Sequence, residues 1–164
     1  MRHIFAAIAL AMPEIAAASI PVSIAVKVAS PDIETEARML ALVQLLSSHD
    51  NFLLSTSNIA RGAALQCLET PDIDRCARTL VRGTSNPART PSVLVLATPA
   101  GGDKVAIRCI GSGKVPPVHA RQHVTLDLKR ALFGSLHQRK TLRRAAVDCI
   151  WSAGAEDDSV IKRN

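Results

Sequence analysis

Four patterns in this chain use side chains that could do chemistry. They are the pair His119 and His123, the turn Gly111-Ser112-Gly113-Lys114, four cysteines, and a run of arginines and lysines toward the C-terminal end. Each asks something of the backbone that carries it. Two histidines at i, i+4 share a metal ion on a helix, where both rings lie on one face. On an extended segment four residues span roughly 13 Å, too far for two ligands on one ion. His119 and His123 follow Pro116-Pro117 and lead into the alternating run Val124, Leu126, Leu128, with no glutamate beside either. They read as surface or loop histidines, and no metal site is assigned.

A phosphate loop ending in Gly-Lys needs a glycine at 108, Ser or Thr at 115, and a helix whose first N–H groups face the phosphate. Arg108, Val115 and the two prolines stand there instead, so the segment reads as a turn. Ser112 lacks the G-x-S-x-G elbow, and a Ser-His-Asp set could be drawn only by free choice among five histidines. His49-Asp50 reads as a helix terminus. No catalytic residue and no cofactor follow from these patterns.

Cys67, Cys76, Cys109 and Cys149 are even in number and contain no C-x-x-C pair. Structural zinc sites take thiolates in close pairs about two to four residues apart, a spacing this chain lacks. Disulfides are expected, with buried free thiols as the alternative. Of the three pairings, Cys67 with Cys76 and Cys109 with Cys149 is the choice. The first closes a helix-to-helix turn, and the second ties a strand to the last helix.

Between Arg121 and Arg144 stand Arg121, Lys129, Arg130, Arg139, Lys140, Arg143 and Arg144 against one acid, Asp127, which equals the net +6 of the whole chain. Such a segment attracts polyanions without sequence preference. Arg139, Lys140, Arg143 and Arg144 are the candidate polyanion-binding residues, and a solvated helix face is the plain alternative. Aromatic residues make up only 2% of the chain, which leaves little for bases to stack on and disfavours nucleic acid. An anionic envelope surface or an acidic protein suits the segment better. The acidic tail Glu156-Asp157-Asp158 is a candidate internal partner.

The elements that must position these residues follow from periodicity. Ser19 to Ala29 alternates as a strand, and Ser30-Pro31-Asp32 reads as a cap, first-turn proline and acid opening a helix to about Ser47. Met39, Leu40, Leu42, Val43, Leu45 and Leu46 nearly encircle that helix, which implies a buried element. A second helix is expected from about Thr56 to Leu68. A third, opened by Thr70-Pro71-Asp72, ends at Gly83, making an αα-hairpin. Thr84 to Pro91 is a loop. Ser92–Thr98 and Lys104–Ile110 form a β-hairpin, Gln122–Leu128 a third strand, and helix resumes from about Lys129, punctuated by Gly134 and Ser135, to about Trp151. The expected class is α+β. N-terminal helices, including the αα-hairpin, pack with a small, mainly antiparallel sheet and a C-terminal helix.

The first residues carry an address. Arg2 and His3 precede the apolar run Ile4–Met12, and Ala16-Ala17-Ala18 offers a cleavage site before Ser19. Residues 1–18 are read as a secretory signal peptide and 19–164 as one small domain. Within it lie a helical half at about 30–83, a β-rich half at about 92–128 and a C-terminal helix at about 129–152. Pro13, Glu14 and Pro21 interrupt the stretch too often for a membrane span, although an uncleaved anchor is the alternative address, and no later segment is long enough. With 48% hydrophobic and 21% charged residues the composition is globular, not disordered. The expected protein is periplasmic or secreted, a binding or envelope accessory domain without catalysis. The alternative is a small exported hydrolase or other enzyme whose site the sequence does not reveal.

Overall fold

The computed structural model describes residues 22–47, 52–84, 90–112 and 123–154. The expected signal segment, His49-Asp50, His119, Arg121, Gly113-Lys114 and the tail Glu156-Asp157-Asp158 lie outside the described residues. The chain orders β1 (Val22–Ala29), α1 (Ile33–Leu46), β2 (Phe52–Thr56), α2 (Arg61–Leu68), α3 (Ile73–Thr84), β3 (Ser92–Pro99), β4 (Lys104–Gly111), β5 (His123–Asp127), α4 (Leu128–Phe133) and α5 (Leu136–Gly154).

The α+β class stands, and the five strands form one mixed sheet in the order β2-β1-β3-β4-β5. β1 runs parallel to both β2 and β3, while β3–β4 and β4–β5 are antiparallel. Local alternation does not reveal which strand a segment pairs with, so the parallel half is new here. It includes β2, where the sequence pattern predicts no strand and Thr56 is expected to open a helix. Phe52-Leu53-Leu54 is a short apolar run, ambiguous between strand and helix, and α2 starts only at Arg61.

Handedness explains the layering. The connection β1-α1-β2 moves one way along the sheet, and β2-α2-α3-β3 moves back past β1. With both crossovers right-handed, α1 and the α2–α3 pair fall on opposite faces. One core gathers Ile24, Val26 and Val28 of β1, Val93 and Val95 of β3, and the buried sides of α1, α4 and α5. The other gathers Leu94, Leu96 and Ile110 beneath α2 and α3. β3 is therefore buried on both faces, which is why Val93-Leu94-Val95-Leu96 is apolar without alternation.

α1 is not fully enclosed. Met39, Leu42, Val43 and Leu46 are buried, but Leu40 and Leu45 remain 41% and 42% exposed, because the helix covers the sheet from outside and they lie away from its sheet-facing side. Asp32, not Ser30, caps α1 by accepting from the Thr35 N–H at 2.7 Å. Hydrogen bonds from the Thr35 side chain and backbone hold the Asp32 carboxyl below the ordinary range. Asp72 likewise accepts from the Arg75 N–H at 3.0 Å at the start of α3, while the Thr70 hydroxyl donates to the Cys67 carbonyl. In both Ser/Thr-Pro-Asp motifs the aspartate is the cap.

Two disulfides are closed, Cys67–Cys76 and Cys109–Cys149, the pairing expected from the sequence. The first joins α2 to α3, and the second joins β4 to α5. Gly111 of β4 lies so close to α5 that a Cβ there would sit 1.8 Å from the Ala153 carbonyl oxygen. At the carboxyl end of β1, Glu36 accepts from the Ser30 N–H at 3.0 Å and from Arg61 Nε at 2.8 Å, and Arg61 also donates to the Ser30 carbonyl at 2.9 Å. That network ties α1 to α2 across the carboxyl end of β1.

Candidate functional site: the corner between α4 and α5

α4 and α5 form a helical corner whose local structure follows from five residues. Asp127 ends β5 and caps α4, accepting from the Arg130 N–H at 2.9 Å. Gly134 stops α4, its N–H returning to the Arg130 carbonyl at 2.9 Å. Ser135 and Gln138 then open α5 reciprocally. The Ser135 N–H donates to Gln138 Oε1 at 3.1 Å, and the Gln138 N–H donates to Ser135 Oγ at 3.4 Å.

Inward, the corner is held by Leu128, Ala131 and Leu132 of α4 and by Ala146, Cys149, Ile150 and Ala153 of α5. Helical periodicity fixes what points outward. On α4 these are Lys129, Arg130 and Phe133; on α5 they include Leu136, His137, Lys140, Thr141, Arg144 and, beyond the acid-free span, Asp148, all exposed. Phe133 and Leu136 are 82% and 76% exposed, the two apolar side chains nearest the bend. Trp151 is 40% exposed further along α5.

The four candidate polyanion residues separate into two rows. Lys140 and Arg144 lie on the outer surface. Arg139 and Arg143 are half-buried; Arg143 Nε donates to the Ala131 carbonyl at 3.1 Å, and Arg139 Nε is shielded from solvent without an acceptor. Arg143 therefore acts as a tie between α5 and α4. Among the described residues no salt bridge reaches Arg139, Lys140, Arg143 or Arg144, whereas Arg130 pairs with Asp127 at 3.3 Å. From Leu128 to Val147 the chain holds Lys129, Arg130, Arg139, Lys140, Arg143 and Arg144 and no acid. The exposed apolar pair escaped the sequence reading. The signal was present, since Phe133 stands four residues after Lys129 and so shares its face.

On the opposite face of the sheet, several polar groups are engaged with one another. Arg108 pairs with Asp74 at 3.2 Å, and Arg82 Nε donates to the Ser112 carbonyl at 3.1 Å, both fastening α3 to β4. His123 is exposed and lies opposite Arg108 in the β4–β5 register, so Ser112, four residues beyond Arg108, stands roughly 13 Å along the sheet from it. An open hollow of about 460 Å³ runs beside α3, lined by Pro71, Asp72, Arg75, Thr79 and Leu80 with the Cys76 side chain. Its one carboxylate is the α3 cap. Among the described residues no cluster of three or more His, Cys, Asp or Glu is arranged to hold a metal ion, and no helix is long and apolar enough to cross a membrane.

Comparison with known protein families, curated proteins and solved structures finds no match to this chain.

Proposed function

We propose that this chain is an exported, disulfide-stapled binding domain, an envelope accessory and not an enzyme, that takes up polyanions at the corner between α4 and α5. The observation that carries the reading is the acid-free span Leu128–Val147, which presents Lys129, Lys140 and Arg144 at the surface with no described ion pair. Export is supported by two disulfides, which persist in oxidising compartments, and by the signal-like pattern of residues 1–18.

Electrostatic recognition weakens with salt, because exposed charges are screened over roughly 8 Å at physiological ionic strength. Binding to polyphosphate and to phosphatidylglycerol-containing vesicles is expected at low salt and should fall steeply toward physiological salt. K140Q/R144Q should reduce it about tenfold or more, since each cation near an anionic surface contributes about 1 kcal/mol. Affinity absent at low salt, or unchanged in that variant, returns the segment to a solvated helix face. For export, mass spectrometry of the protein from its host should find Ser19 at the amino terminus; intact Met1 in a cytosolic fraction overturns that part.

A further inference from the structure

We infer that the polyanion is the headgroup layer of an anionic lipid bilayer, and that Phe133 and Leu136 enter the bilayer at the tip of the corner. The inference rests on the polyanion reading above and adds the side chains that a soluble polyanion would not engage. Phe133 closes α4 and Leu136 opens α5, and they leave 82% and 76% of their surface to water. Polyphosphate or an acidic polysaccharide offers such side chains nothing. A bilayer offers them an apolar layer just beneath its phosphates.

Charge placement selects this pair over other exposed apolar residues. Ile33 is equally exposed, at 76%, but stands between Asp32 and Glu34. Phe133 and Leu136 stand between cations. Lys129 precedes Phe133 by one helical turn and Lys140 follows Leu136 by one turn, each about 6 Å along its axis. Long lysine stems let an amine reach the phosphate plane while an apolar neighbour sits deeper. The arrangement along the chain is cationic, apolar, apolar, cationic, with the bend at Gly134-Ser135 between the two exposed apolar residues.

The test compares three ligands with the full, oxidised chain at low salt: vesicles of equal parts phosphatidylglycerol and phosphatidylcholine, vesicles of phosphatidylcholine alone, and polyphosphate. Wild type should co-sediment with the anionic vesicles and not with the neutral ones. F133S/L136S, whose thermal melt should match wild type because both positions are exposed, should lose about tenfold or more in vesicle affinity while keeping polyphosphate affinity. K140Q/R144Q should lose affinity for both. Vesicle affinity unchanged in F133S/L136S overturns the inference and leaves the polyanion reading standing, as does wild-type binding to polyphosphate but not to vesicles. Binding to neither ligand overturns both. An insertion readout independent of affinity comes from F133W/W151F, whose single tryptophan then marks the tip. Its emission should shift to the blue on anionic vesicles and be quenched by acyl-brominated lipid, and unshifted, unquenched emission overturns the inference.

Discussion

On one side of the sheet Cys67–Cys76 joins two neighbouring helices nine residues apart in sequence, whereas on the other Cys109–Cys149 joins a helix to the sheet itself across 40 residues. The charges differ in the same way. The segment Arg61–Thr84 mixes Arg61, Arg75, Arg78 and Arg82 with Glu69, Asp72 and Asp74, and Arg108 and Arg82 link α3 to β4 and the residue after it by polar contacts. α4 and α5 carry cations alone over Leu128–Val147. The α2–α3 face is thus held to the sheet by apolar contact and interlocking charge, with a staple that only keeps its hairpin shut. The α5 face leaves its outer cations without described ion pairs and is fixed by its own apolar core, one covalent tie and close packing at Gly111. Where a surface gives up internal ion pairs, the layer beneath it depends more on the other ties.

Five changes would break or sharpen this contrast. The largest effect is expected from C109A/C149A, which releases a loop worth up to about 3.9 kcal/mol in the chain-entropy account, seen as a lower urea midpoint and faster amide exchange along α5. Next is Gly111→Ala, whose Cβ would press on the Ala153 carbonyl, a backbone atom that cannot turn aside. A loss of about 3 kcal/mol is expected there. Gly83→Ala on the α3 side meets nothing within 4 Å and should gain about 0.5 kcal/mol by helix propensity. Equal effects at the two glycines would erase the difference in packing. C67A/C76A should cost up to about 2.7 kcal/mol, with exchange rising only over α2 and α3. If it instead loosens α5, the staples are not independent. The smallest effect concerns Asp32. Its carboxyl titrates lower folded than unfolded, so its contribution is present above the ordinary carboxylate range and fades as pH falls through the folded value. Asp32→Asn should lower stability slightly at neutral pH, where the carboxylate's contribution is present, and leave it nearly unchanged in acid, so that the acid limb of the stability–pH curve is flatter below about pH 4.

How much of this was legible in the sequence differs by element. The alternation of Ile24, Val26 and Val28, the β3–β4 hairpin, and the break at Gly134-Ser135 each follow from local chemistry; the hairpin and the break stand within a residue of their expected places, and β1 ends at Ala29 as expected. The cysteine pairing was also legible, because one pair flanks a tight helical turn and the other sits in elements that had to touch. β2 was not, since five residues without clear alternation carry no period. Nor was the parallel placement of β1 between β2 and β3, a choice made by the crossovers and not by any strand alone. At the candidate site the charge was plain from composition. Its division into an outer row, Lys140 and Arg144, and an inner row, Arg139 and Arg143, needed the position of α4. The exposed tip needed the same information, because an apolar residue on a helix reads as core until the neighbouring element is placed.

The position of β1 carries a consequence for the time course of folding. Ala25 pairs with Ser92 and Ala29 with Leu96, so one edge of β1 stays open until the chain roughly 70 residues later has arrived. β3 and β4 face no such delay. Gly101 and Gly102, both at positive φ, turn the chain directly back on itself, and a hairpin of this kind closes in about 1–10 μs. During refolding the hairpin therefore waits, preformed, for a strand whose Ile24, Val26 and Val28 side chains are still uncovered and whose backbone N–H and C=O groups are still unpaired. In that interval β1 is a template for another copy of itself. Refolding yield should consequently fall with protein concentration, and the vulnerable species is the chain in which the later half has folded and β1 has not yet been admitted.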